Sequence, residues 1–130
     1  NVYQAQKALN NAYQAVKPGG TIILTAECLE GYGEPTFEKW IEEANSPDDI
    51  IKRLKNKFVL GGHKAYAIAK LTKEVEVILI SSLPQDKVRK LYFIPMENIS
   101  QATEYVKEKY GEDFQAFILP SGNTVLPQLI

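Results

Sequence analysis

Lys17-Pro18-Gly19-Gly20-Thr21-Ile22-Ile23-Leu24-Thr25-Ala26 is the stretch on which the fold turns. From Thr21 to Ala26 it is an unbroken run of apolar and β-branched residues with no polar alternation. A run of this kind marks a strand covered on both faces, as in a parallel sheet. On its N-terminal side, Pro18-Gly19-Gly20 supplies a turn that ends a helix. The helix it ends is predicted over about Val2 to Val16. Asn1 is its N-cap, because the side-chain oxygen accepts from a free N–H of the first turn. Ala5, Ala8, Leu9, Ala12 and Val16 form one apolar stripe along it. On the other side of the strand, Glu27 to Gly33 is a glycine-containing turn. Pro35 then suits the first turn of a helix carrying Phe37, Trp40, Ile41 and Ala44.

The rest of the chain repeats this alternation. Ser46 caps a short helix with Pro47 at its first position, two acids in the first turn, and an apolar edge of Ile50, Ile51 and Leu54. Gly61-Gly62-His63-Lys64 opens the next helix, whose Ala65, Ile68, Ala69 and Leu71 turn inward. Glu76 to Ser81 is a second strand, and Ser82 to Lys90 is a loop with a short helical turn. Leu91 to Ile94 is a third strand, stopped by Pro95. Asn98 starts a helix to about Lys109 with Ala102, Tyr105 and Val106 inward and Gly111 closing it. Ala116 to Leu119 is a fourth strand, and Pro120 to Ile130 is predicted to be an irregular tail. Strands separated by helices imply right-handed βαβ units. The expected fold is an α/β three-layer sandwich whose central sheet of about four strands is mostly parallel and doubly wound, Rossmann-like, in a single domain over residues 1–130. Ligands meet such sheets outside the carboxyl ends of the strands. That edge is expected to hold Glu27 to Gly33, Ser81-Ser82 and Leu119 to Gly122.

With 130 residues, 45% of them hydrophobic and 24% charged, the composition is that of an ordinary globular domain with one core. A net charge of −1 argues against a nucleic-acid partner. One cysteine, Cys28, excludes an internal disulfide and a cysteine-rich zinc site, and one histidine, His63, excludes a three-histidine site built from this chain alone. The expected compartment is a reducing cytoplasm. No run approaches the roughly 20 apolar residues of a membrane-spanning helix, and the first residues lack a signal-peptide profile. A start at Asn1 rather than methionine suggests a piece of something longer.

The candidate functional residues gather at helix starts. Tyr3, Gln4 and Lys7 share a polar flank at the positive end of the first helix, where a phenol, an amide and an ammonium suit an anionic or hydroxylated small molecule. The same residues also suit a solvated face with Tyr3 half buried, and spacing alone leaves both readings standing. Gly31-Tyr32-Gly33 lies where a phosphate-binding turn would lie. It lacks the third glycine and the downstream acid, so a plain tight turn is the simpler reading. Cys28, directly after the strand, either faces the ligand-meeting edge or is a small buried residue. Trp40 packs in the core or lines a pocket. At a helix start, the dipole would depress the pKa of His63 and keep it neutral. Whether it lines a pocket or meets solvent stays open.

Taken in order, Tyr3-Gln4-x-x-Lys7, Lys17-Pro18-Gly19-Gly20 before an apolar strand, Glu30-Gly31-x-Gly33 and Leu119-Pro120-x-Gly122 resemble the C-terminal domain of the nickel-pincer lactate racemase family. The likeness covers essentially this whole chain and about the last third of a family member. It implies an N-terminal catalytic domain of the same chain that holds a nickel-pincer nucleotide, so no cofactor is expected on these residues by themselves. That domain supplies two acid/base histidines, and hydride transfer to and from the cofactor inverts a 2-hydroxy acid. The C-terminal domain closes the cleft, with Lys7 on the substrate's oxygens and Gln4 positioning substrate and cofactor. Tyr3, Gly31, Gly33, His63 and Lys64 would line the same groove. Where the lactate enzyme has a tryptophan beside its pincer this chain reads Gly62-His63-Lys64-Ala65, which leaves room for a different 2-hydroxy acid.

Val16 to Leu24 also resembles the Pro-Gly-Gly strand entry of Rossmann-type methyltransferases, which would imply S-adenosylmethionine, although the glycine-rich loop for that cofactor is absent. A noncatalytic α/β interaction domain is the third reading. It would be favoured by a polar helix flank that is disordered and open to solvent on all sides.

Overall fold

Five-residue β1 (Thr21–Thr25) is the strand about which the molecule is built. The computed structural model describes residues 1–112, Ala116–Leu119 and Gln128–Leu129. β1 is paired in parallel on both sides. Thr21 to Thr25 lie against Glu76 to Ile80 of β2 (Glu76–Ile80), and Thr21 to Leu24 lie against Ala116 to Leu119 of β4 (Ala116–Leu119). β3 (Ile94–Met96) adds in parallel to β2, and β5 (Gln128–Leu129) adds antiparallel to β4, giving the order β3-β2-β1-β4-β5.

Side chains alternate across this sheet, so neighbouring residues feed different cores. Ile22, Leu24, Val77 and Leu79 pack under α1 (Val2–Tyr13), α2 (Pro35–Glu43) and α4 (Gly62–Thr72), with α3 (Pro47–Asn56) and α5 (Gln85–Lys90) on the same side. Ile23 and Ile78 face the other way and meet Ala102 and Val106 of α6 (Ile99–Tyr110). The result is a three-layer α/β sandwich. Residues such as Phe37, Ile22 and Ile68, at most 1% exposed, each contribute about 1.5–3 kcal/mol through burial. The chain passes from β1 to β2 and β3 on one side and returns through α6 to β4 on the other. The crossover from one direction to the other therefore lies between β1 and β4, the position at which doubly wound sheets open a crevice.

The caps follow the sequence. Asn1, Ser46 and Asn98 each accept the N–H of the residue three ahead, and Gly111 closes α6 at φ 81°. Three boundaries differ from expectation. α1 ends at Tyr13, with Gln14 as its cap, so Val16 packs beyond the helix rather than in its stripe. The third strand is Ile94–Met96, not Leu91 to Ile94. Leu91 and Phe93 are buried beneath a tight turn in which Tyr92 takes φ 64°, and Pro95 sits inside the strand. A proline is tolerated there because β3 is an edge strand and need not donate on both sides. The tail is not wholly irregular, because Gln128–Leu129 pairs with β4 and makes the sheet five-stranded instead of about four. Of the closing Leu119-Pro120-x-Gly122 motif, Pro120 and Gly122 lie outside the described residues. Among the described residues no helix is long and apolar enough to cross a membrane.

One polar tie joins the two ends of the return path. The Tyr110 hydroxyl donates to the Gly19 carbonyl at 2.7 Å and lies 2.7 Å from the buried Thr21 Oγ1, fastening the end of α6 to the start of β1.

Candidate functional site

α1, α2 and α4 all begin at the carboxyl edge of the sheet, and their starting segments enclose the candidate residues. At α1 the four leading N–H groups already have acceptors. Val2 donates to the Gly31 carbonyl at 3.2 Å, Tyr3 to the Tyr32 carbonyl at 2.9 Å, Gln4 to Asn1 Oδ1 at 2.9 Å and Ala5 to the Asn1 carbonyl at 3.0 Å. The Gly31-Tyr32-Gly33 turn therefore serves the helix, presenting carbonyls rather than the N–H groups that a phosphate would need. Both glycines have positive φ, 70° and 103°, and a side chain at Gly33 would run into the Asn1 amide. With its backbone donors spent, α1 offers a ligand only its side chains.

Those side chains are Tyr3, Gln4 and Lys7. Tyr3 is half buried, its ring edge-on to Phe37 at 5.7 Å. Lys64, from the first turn of α4, places Nζ 4.1 Å from the Tyr3 ring centroid and donates to the Tyr3 carbonyl at 3.0 Å. Burial, and then the nearby charge of Lys7, push the Lys64 ammonium below its usual range. Gln4 and Lys7 are exposed. Neither side chain makes a hydrogen bond or ion pair among the described residues. Tyr3 and Lys64 thus meet, Lys7 follows one helical turn after Tyr3 and Gln4 one residue after it, and Gly31 and Gly33 lie beneath as support.

His63 has its own arrangement. Its Nδ1 accepts the Gly61 N–H at 3.0 Å and its ring lies 5.8 Å from that of Phe58, so any proton on the neutral ring is on Nε2. The glycines before it are required by contact. A side chain on Gly61, at φ 93°, would collide with the Glu34 carboxylate, and one on Gly62 would meet the Trp40 indole at 2.8 Å. Trp40 is 3% exposed, with Arg53 stacked 4.5 Å above it, and is a core residue rather than a pocket wall.

Two further features mark this edge, the first between segments the sequence had placed there and the second not anticipated from it. A cleft of about 320 Å³ opens between Cys28 to Tyr32 and Ser82 to Pro84, with Glu38 and Lys87 on its walls. Cys28, buried at φ 55°, lines it, and burial pushes its thiol up. The Tyr32 hydroxyl donates to the Lys87 carbonyl at 2.7 Å, and burial followed by Glu42 holds its pKa well above the usual phenol range. The second feature is apolar exposure on the loops, with Leu29, Phe58 and Leu60 78%, 65% and 73% exposed. Their one signal in the sequence is that each is a large apolar residue within three positions of a loop glycine and outside any helical or strand period. Among the described residues no three His, Cys, Asp or Glu side chains converge on a point that would hold a metal ion.

Comparison with known proteins gives a consistent set of matches. Residues 1–126 match the family described as the lactate racemase C-terminal domain. The lactate racemases of Thermoanaerobacterium thermosaccharolyticum and Lactiplantibacillus plantarum are each 24% identical over 131 residues, covering 97% of this chain and 31% of the relative. The structure of the lactate racemase apoprotein from Thermoanaerobacterium thermosaccharolyticum superposes with a TM-score of 0.84 at 24% identity, over the same 97% of this chain and 31% of that one. The chain therefore spans about a third of the length of the relatives it matches.

Proposed function

The chain belongs to the lactate racemase C-terminal domain family, and from that premise we propose that it is the cleft-closing domain of a 2-hydroxy acid racemase. The observation that carries the proposal is the exposed ammonium of Lys7, without an ion pair among the described residues and one helical turn from the Tyr3 that Lys64 covers, at the sheet edge where ligands meet this class of fold. In a closed cleft, screened from water, a lysine binds a carboxylate or alkoxide oxygen through charge-assisted hydrogen bonds. Lys7 takes that part, and Gln4 on the adjoining position donates its amide to substrate and cofactor. Tyr3 forms the wall between them, braced by Phe37 below and Lys64 at its ring. His63 presents its remaining ring nitrogen at the rim, and Gly31 and Gly33 hold the start of α1 in place.

The family implies a nickel-pincer nucleotide, which when bound accepts and returns the hydride of the substrate's α-carbon. The donor set here is ammonium, amide and phenol, which fits the oxygen-rich organic part of such a group and its substrate, not the metal. The nickel ligands and the acid/base pair are assigned to an N-terminal domain of the same protein. A small-molecule substrate and that domain are the proposed partners, and a reducing cytoplasm the proposed compartment, consistent with a buried, unpaired Cys28. The family match runs through Pro18-Gly19-Gly20, so the likeness of that turn to a methyltransferase strand entry carries no weight. The test is to load the full-length protein with cofactor and follow each enantiomer of several 2-hydroxy acids by chiral chromatography. Interconversion is expected, and its absence for every acid would overturn the assignment.

A further inference from the structure

The charges at this site exceed what one carboxylate can neutralise. Tyr3 and Lys7 are one helical turn apart, so their side chains are neighbours. Lys64 reaches across from α4 to the same phenol. Folding thus sets the Lys64 ammonium over the Tyr3 ring, on the helix turn that also carries Lys7, and the charge of Lys7 adds to burial in disfavouring the charged form of Lys64. Neither takes part in any ion pair among the described residues. The nearby carboxylates are engaged with other groups, Glu30 with the Asn1 amide and Glu34 with the Phe37 N–H. A like charge held nearby without an anion disfavours the charged form of Lys64, and a ligand that brings negative charge relieves this. Lys64 uses one of its three N–H donors on the Tyr3 carbonyl and keeps the others for such a ligand.

We propose that the substrate is a 2-hydroxy dicarboxylate, with the carboxylate and hydroxyl at the reacting carbon held by Lys7 and the second, distal carboxylate held by Lys64. The assignment rests on the racemase reading above and narrows it. A monocarboxylate would leave one of the two ammonium groups uncompensated in a closing cleft, whereas a dicarboxylate compensates both. The half-buried position of Lys64 makes its contact the less screened of the two, and so the one that discriminates among substrates.

Full-length holoenzyme is assayed on both enantiomers of lactate and of malate, the four-carbon 2-hydroxy dicarboxylate, and malate binding to the same protein is measured by calorimetry. Malate is expected to have a kcat/KM about tenfold or more above that of lactate. Lys64→Met keeps the apolar stem and removes the charge. It is expected to lower the malate-to-lactate ratio of kcat/KM about tenfold to a hundredfold and to weaken malate binding by a similar factor, with Lys64→Arg recovering part of the loss. A wild-type preference for lactate, or an equal fall for both acids in Lys64→Met, would overturn the dicarboxylate assignment. Racemisation of lactate alone defeats this assignment and leaves the racemase reading intact. Racemisation of neither acid, nor of any other 2-hydroxy acid, defeats both.

Discussion

Lys7 is a residue whose loss separates function from folding. It is exposed on the flank of α1 and unpaired among the described residues, so Lys7→Ala is expected to leave the thermal midpoint nearly unchanged. In the full-length enzyme the same change should cost about 2–4 kcal/mol of transition-state stabilisation, roughly thirty- to a thousandfold in kcat/KM. Gln4→Ala should act in the same direction and less strongly, because a neutral amide makes the weaker hydrogen bond. Kinetics and melting of both variants check this, and a Lys7→Ala enzyme with wild-type kcat/KM would return the residue to a solvated face. Lys64 carries the opposite balance. Its folded-state pKa lies below the free value of 10.5, through burial first and Lys7 second, so protonation at neutral pH works against folding. That penalty is complete below the folded pKa and is relieved as pH rises from there toward 10.5. Lys64→Met removes that penalty together with the contacts to Tyr3, so whatever the difference at pH 7, melts taken at rising pH should shift the balance toward wild type. Lys7 and Gln4 were readable from spacing as a shared flank. The partnership with Lys64 was not, because it depends on two helices far apart in sequence being brought to one ring.

At the scale of elements, the legible parts were those where one local signal decided the outcome. β1 was readable from its unbroken apolar run, α3 from Ser46 and Pro47, and α4 from its inward Ala65, Ile68, Ala69 and Leu71, all of which are buried. Where two signals competed, pattern reading failed. Leu91 and Phe93 have strand chemistry but are buried through a turn after α5, and Tyr92 adopts a left-handed conformation that nothing in its side chain announces. The Gly31-Tyr32-Gly33 segment, by contrast, reads from sequence as a plain tight turn in preference to a phosphate-binding one, and the Gly31 and Tyr32 carbonyls add what the sequence did not show, that this turn caps α1. The tie between α6 and β1 was equally invisible, since a tyrosine hydroxyl has no preferred partner in sequence. Tyr110→Phe removes it and leaves the buried Thr21 hydroxyl without its partner. It should cost about 1–2 kcal/mol, read as a lower urea midpoint at unchanged slope.

For the whole molecule, the sheet and both its helical layers are built from this chain, so the isolated chain is expected to fold cooperatively in a denaturant melt. Mixed with a 2-hydroxy acid and a nickel salt it should give no racemisation, because one histidine cannot serve as both acid and base. Any turnover by the fragment would contradict the division of labour proposed here. Pro95 has a consequence at this scale as well. Among the described residues β3 is one edge of the sheet, it is only three residues long, and the proline at its centre has no N–H. A strand from another molecule seeking to extend the sheet there would find its row of donors broken after a single residue. The proline thus hinders neighbouring copies from stacking edge to edge, which protects a protein whose exposed apolar residues Leu29, Phe58 and Leu60 already give it a reason to self-associate.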